Sequence, residues 1–228
     1  MLFKYNKMKK NWWKIIAVLL VLHTVIAGFM IPVPALNILH ESIRNLYFHV
    51  PMWFAMMTIL FVSLWQSIKY LSKSNIQSDL IATQAAQTGM LAGTLGLITG
   101  SVWAKYTWGA WWVADPKLNG AAITMLIYLA YFILRGSIDE EQKRARIAAV
   151  YNIFAYVLLI VFLMILPRMT DSLHPGNGGN PGFGGYDLDN NMKMVFYPAV
   201  IGWILLFVWI FTLKVRFEKL KRKQLFNE

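Results

Sequence analysis

Residues 147–166 read IAAVYNIFAYVLLIVFLMIL, a run of 20 positions without a charged side chain. An α-helix needs about 20 apolar residues to cross ~30 Å of hydrocarbon, and in lipid it is the one local structure that satisfies its own backbone. The stretch therefore predicts a membrane-spanning helix. Upstream lies DEEQKRAR (Asp139–Arg146), a solvated helix end; downstream lies Arg168. Working outward, five further segments pass the same test: Trp12–Ile31, Pro51–Ile68, Ile81–Trp103, Ala121–Leu134 and Met194–Leu213. Ala121–Leu134 is short and draws on its neighbours. The first run is long and no small-residue cleavage site follows it, so no cleaved signal peptide is expected. The fold class expected is all-α: a polytopic integral membrane bundle of six transmembrane helices, one domain over residues 1–228.

Composition points the same way. Of the 228 residues 57% are apolar and 14% charged, whereas soluble domains carry roughly a quarter charged residues. So much aliphatic and aromatic surface excludes disorder. The absence of cysteine excludes disulfides, Cys-based zinc sites, thioredoxin-like redox pairs and covalent c-type haem attachment. The formal net charge of +11 is a topology signal. Six spans put both termini on one side. Seventeen of the 22 Lys and Arg lie at the termini and in the second and fourth loops; only Arg44, Lys105, Lys117, Arg168 and Lys193 lie in the other three. The positive-inside rule then places both termini in the cytoplasm. The partner of this basic surface is the lipid bilayer, and nucleic acid is not expected.

The outside loops carry the unusual sequence. The first has Pro32 and Pro34, then Ile43, Leu46, Tyr47 and Val50 at helical spacing, which predicts a short interfacial helix with Pro51 at the start of the next span. The last, residues 168–193, contains HPGNGGNPGFGGYD, too glycine-rich to pack alone. Gly89, Gly93, Gly96 and Gly100 recur at intervals of four, three and four; they form a smooth stripe open to a neighbouring helix or to a flat ligand, helix packing being the commoner use.

The outer loop over 104–120 completes the sequence WAKYTWGAWWVADPKLNG (103–120). On a helical turn Trp108, Trp111 and Trp112 share one side, Gly109 leaves room beside them, and Asp115 follows one turn on. An aromatic belt at the bilayer interface and a shelf for a flat, apolar molecule both account for such a cluster. His49 and His174, 125 residues apart, reach the same face by parity. Two neutral imidazoles are a common way to hold haem iron from both sides, which favours the shelf. His23 lies mid-span with no partner pattern, and His40, beside Glu41, reads as solvated.

WGAWWVAD (Trp108–Asp115) resembles the tryptophan-rich "WWD" signature of the haem-handling membrane proteins of cytochrome c biogenesis. RNLYFHVP (Arg44–Pro51) and the SLHPG around His174 resemble that family's flanking-histidine segments. With six spans the chain is most similar to the cytochrome c maturation protein C family, the haem exporter C subunits. Ala114 stands where the family usually has a further tryptophan, and the glycine-rich insertion after His174 is also a departure. The resemblance implies that His49 and His174 are axial haem ligands and that Trp108, Gly109, Trp111 and Trp112 form the platform. Asp115 is then expected to orient the loop or meet a chaperone. Apart from the family, Arg44 is a candidate for pairing bidentately with a haem propionate; Arg168, Lys105 and Lys117 are weaker candidates.

The function expected is delivery: holding haem b non-covalently and transiently at the periplasmic face of the bacterial inner membrane, and passing it on. No nucleophile–base pair, carboxylate dyad or metal cluster stands in the loops, so no enzymatic step is expected. The partners implied by the resemblance are a membrane-anchored haem chaperone, ATP-binding-cassette transporter subunits and a small single-span subunit. The chain has no Walker-type loop of its own. Two rival readings are a haem b electron-transfer subunit of a respiratory complex, which would bury its histidines within spans, and a small-molecule transporter without haem.

Overall fold

A computed structural model describes residues 2–34, 39–174 and 188–226. It consists of helices α1 (Leu2–Met30), α2 (Leu46–Lys73), α3 (Ile76–Trp108), α4 (Pro116–Gly136), α5 (Glu141–Ile160), α6 (Leu166–Met169) and α7 (Asn190–Phe226), with a 3-10 turn at His40–Asn45 and a π-helical turn at Val161–Ile165. No strand occurs among the described residues. The glycine-rich run 175–187 lies outside them.

Five stretches are long and apolar enough to cross a membrane: Asn11–Met30, His40–Lys73, Pro116–Gly136, Glu141–Met169 and Asn190–Gln224. The expected third span, Ile81–Trp103, lies inside α3, which does not join them on composition. Length is not the obstacle: its 33 residues extend about 50 Å at ~1.5 Å per residue. Its polarity has an address. Ser78, Asp79, Gln84 and Thr88 are buried against protein, while Leu91, Leu95, Ile98 and Val102 are exposed, so the polar groups face the bundle and an apolar side faces outward.

The glycine stripe shows how the inner face of α3 packs. A Cβ added at Gly89 would lie 2.6 Å from Leu60, at Gly93 2.8 Å from the Met56 sulfur, at Gly96 2.9 Å from the Trp53 indole and at Gly100 2.6 Å from His49. The four glycines of α3 thus face positions 60, 56, 53 and 49 of α2, a matching ladder at the same spacing. Missing side chains on one helix admit large ones from the other, the small-residue packing familiar in membranes. Met56, Ile59 and Leu60 join Met125, Tyr128 and Leu159 in the main core.

Buried polar pairs cross-link the bundle. Asn152 donates to Ser63 (2.7 Å) and Ser67 (2.8 Å), and Ser63 donates to the Ala82 carbonyl (2.7 Å). Arg135 in the last turn of α4 grips Asp79 in the first turn of α3 with two bonds of 2.7 and 2.5 Å. Mid-span His23 has a partner after all: its Nε2 lies 3.1 Å from the Met194 carbonyl. The reason is Pro198 inside α7. It has no N–H to give the carbonyl four residues back, so the imidazole of α1 supplies that donor.

Pro51 departs from expectation. The 3-10 turn feeds directly into α2 at Leu46, so Pro51 sits buried inside the helix and not at its start. His40 is exposed, as expected of a solvated residue.

Candidate haem site

Asp115 organises the outer end of the bundle. It is the N-cap of α4, with Pro116 at the first helical position, and its Oδ1 accepts from the Lys117 N–H at 2.9 Å. The same carboxylate accepts from Ser172 Oγ (2.8 Å), from the Leu173 N–H (2.7 Å) and from His174 Nδ1 (3.1 Å). Burial pushes this carboxyl's pKa up, but the bonds from His174, Leu173 and Ser172 outweigh it and hold the group well below the usual carboxylate range. At 1% exposure the side chain offers no surface to a chaperone; it orients the loop and the imidazole.

A carboxylate can only accept, so His174 carries its proton on Nδ1 and keeps its remaining lone pair on Nε2. That is the usual arrangement of a metal-binding histidine. The ring packs 4.9 Å from Trp108 and 5.8 Å from Trp103, the two indoles themselves being 5.1 Å apart. Trp103 is 8% exposed, and its buried Nε1–H has no hydrogen-bond partner among the described residues.

His49 is held by the glycine stripe. Its Nδ1 lies 3.0 Å from the Gly96 carbonyl and 3.2 Å from Thr99 Oγ1, and its Cε1 fills the space left by Gly100. Here too the carbonyl fixes the proton on Nδ1. The Trp53 indole donates to His49 Nε2 at 3.3 Å.

His49 and His174 line one cavity of about 250 Å³, together with Trp53, Trp103, Trp112, Lys117 and Arg168. Leu163, Met164 and Pro167 line it as well. Leu163 and Met164 belong to the π-helical turn and Pro167 follows it; the Phe162 carbonyl of that turn is pressed against the bare backbone of Gly120 on α4. π-Turns are frequent beside functional sites because the extra residue re-aims the side chains that follow.

The other candidates fall differently. Helix α3 ends at Trp108, so Trp111 and Trp112 leave the helical register expected of them. Trp112 lines the cavity, its indole 3.3 Å from Asn119 Oδ1, while Trp111 is 59% exposed on the outer side. Gly109 terminates α3 at φ +80°, and no described residue lies within 4 Å of a Cβ placed there. A left-handed turn at this position ends the helix. Arg44 is turned away from the cavity. It donates to Glu41 (2.6 Å) and to the Gly28 and Ile31 carbonyls (2.8 and 2.7 Å), closing the end of α1. The cations on the cavity wall are Lys117 and Arg168; Lys105 bonds the Gly109 carbonyl at 2.9 Å. Trp53, Trp103 and Ser172 were not singled out in the sequence. Trp53 stands four residues after His49, and Ser172 two before His174, spacings that place each beside its histidine.

Fold and site together define a class: multi-pass helical proteins with paired imidazoles and an indole cluster around a cavity at one end of the bundle. The chain belongs to the Heme exporter protein C family, whose model matches residues 2–227. It is 26% identical to Heme exporter protein C of Paracoccus denitrificans over 186 residues, 80% of this chain and 75% of that one. Against Heme exporter protein C of Rhodobacter capsulatus it is 26% identical over 211 residues, 91% and 85% of the two chains. A shorter match, 40% identical over 92 residues, covers 40% of this chain and 28% of the cytochrome c biogenesis protein CcsA of Prochlorococcus marinus.

Proposed function

We propose that this chain binds haem b as cargo between His49 and His174 and hands it on during cytochrome c maturation. A haem-handling role in that process follows from the family and from the cytochrome c biogenesis relatives. The observation that carries the site assignment is that two histidines 125 residues apart line a single cavity walled by indoles. Each has its Nδ1 bound to an acceptor, leaving Nε2 to bind iron. Lys117 and Arg168 on the wall suit the propionates. Bound haem supplies an iron centre that accepts two axial imidazoles; the chain supplies orientation, an apolar enclosure and reversible ligation. The chain thus works by ligand exchange and not as an enzyme.

The protein is a multi-pass inner-membrane protein, and in this proposal α3 is its sixth span. That count brings the segment before α2, the 104–120 loop and the His174 segment to one face, as a common cavity requires. With basic residues concentrated on the opposite face, the termini are cytoplasmic and the cavity periplasmic. The receiver is a membrane-anchored haem chaperone. ATP-binding-cassette subunits and a small single-span subunit complete the assembly, since the chain has no phosphate-binding loop of its own.

The test is the absorption spectrum of detergent-purified protein loaded with ferric haem, wild type beside His49→Ala and His174→Ala. Each variant is expected to lose the bis-imidazole spectrum. Unchanged Soret and visible bands in either variant would end the assignment of haem between the two histidines.

A further inference from the structure

We propose that Trp53 is a displaceable cap on His49: its indole N–H occupies the lone pair that iron takes, so haem binding breaks this bond and haem release restores it. The inference rests on His49 being an iron ligand. The tautomer is settled by chemistry. The Gly96 carbonyl, 3.0 Å from Nδ1, can only accept, and the Trp53 Nε1–H, 3.3 Å from Nε2, can only donate. The His49 lone pair therefore points at the indole proton. The two rings meet edge to face, centroids 6.0 Å apart at 83°.

Trp53 follows His49 by one turn on α2, its indole packed over Gly96 and bordering the same cavity. A change of side-chain rotamer is enough to carry the N–H off Nε2. The two axial positions are therefore unequal. His174 is held by a carboxylate, which raises its basicity as a ligand. His49 is held by a carbonyl and opposed by a competing donor. His49 is the side from which haem is released, with Trp53 reclaiming the imidazole as the iron leaves.

The test uses full-length protein in lipid nanodiscs loaded with ferric haem b, with Trp53→Phe and a second variant carrying 3-benzothienylalanine at position 53. That residue keeps the indole's shape and loses only the N–H. A hydrogen bond of ordinary net strength predicts haem binding roughly two- to ten-fold tighter in both variants, and release to a haem-scavenging apoprotein slower by a similar factor. The isostere guards against a folding defect in Trp53→Phe, because a role in packing alone would leave it like wild type. Wild-type affinity and release rate in the isostere overturn the cap. His49→Ala separates the two levels. If it leaves the haem spectrum unchanged, His49 is no ligand and both proposals fall; if it changes the spectrum while the isostere behaves as wild type, only the cap falls.

Discussion

Asp115 accepts hydrogen bonds from the α4 backbone, from Ser172 and Leu173 and from the His174 ring, so one substitution there loosens an N-cap and the proposed ligand His174 together. Asp115→Ala is expected to cost on the order of 1 kcal/mol through the lost cap, and more through the stranded Ser172 and Leu173 donors. Thermal unfolding in detergent checks the stability, and haem titration is expected to show weakened binding. Asp115→Asn keeps the shape but presents an amide to Nδ1 and is expected to fall between. The carboxyl's depressed pKa gives the pH dependence its sign. Its contribution to stability is fully present above the ordinary aspartate pKa, about 4, and is lost as pH falls toward the lower folded value. Tryptophan fluorescence from the Trp103–Trp108–His174 cluster is expected to be insensitive to this group from pH 7 to about 5 and to change only in stronger acid. A midpoint near pH 6 that vanishes in Asp115→Asn would contradict this. The acidic residue was visible in the sequence as the close of a signature; its four-way hydrogen bonding was not, because Ser172 and Leu173 lie more than 50 residues away.

Helices α2 and α3 meet through glycines 89, 93, 96 and 100 facing side chains 60, 56, 53 and 49. The stripe was legible from its spacing, and packing is what it does; that its outer end seats His49 depended on the register of the two helices. Gly100→Ala places a methyl against His49 Cε1 and is expected to shift the haem spectrum while leaving membrane insertion normal. Gly89→Ala, facing Leu60 at the far end, is expected to lower stability without that spectral change. The two variants thus separate packing from ligand placement. His23 illustrates the same dependence on a neighbour. Its value lies in the carbonyl that Pro198 leaves without a donor, a relation between helices at opposite ends of the chain. His23→Leu is expected to lower thermal stability by about 1 kcal/mol, the size of interhelical hydrogen bonds in membranes. Pro198→Ala in that background, which returns a backbone N–H to Met194, is expected to recover part of the loss.

The bundle as a unit brings a helix-start segment, the end of α3 with its loop, and the chain after α6 to one cavity. Reporter fusions within 104–120 are expected to give a non-cytoplasmic signal and fusions at both termini a cytoplasmic one. A cytoplasmic signal from the loop would invert the proposed orientation. The all-helical class and five spanning stretches could be read directly from runs of apolar residues, because lipid rewards apolar side chains whatever their neighbours are. Helix α3 reads as a sixth span in the sequence, yet it stands outside the five stretches apolar enough to cross, since Asp79, Gln84 and Thr88 on its protein-facing side lower its hydropathy. The histidines and the Trp–Asp loop could be picked out as chemistry-bearing residues because the chain has only 4 histidines and because Trp108, Trp111 and Trp112 cluster in one short loop beside Asp115. Which of them share the cavity was a matter of packing. Arg44 turned to the carbonyls of α1, Trp111 turned outward once Gly109 broke the helix, and Trp53 and Trp103 turned inward. Local patterns set where a chain becomes helical and which residues are costly to bury; contacts between distant helices set which lone pairs and indoles face the same space.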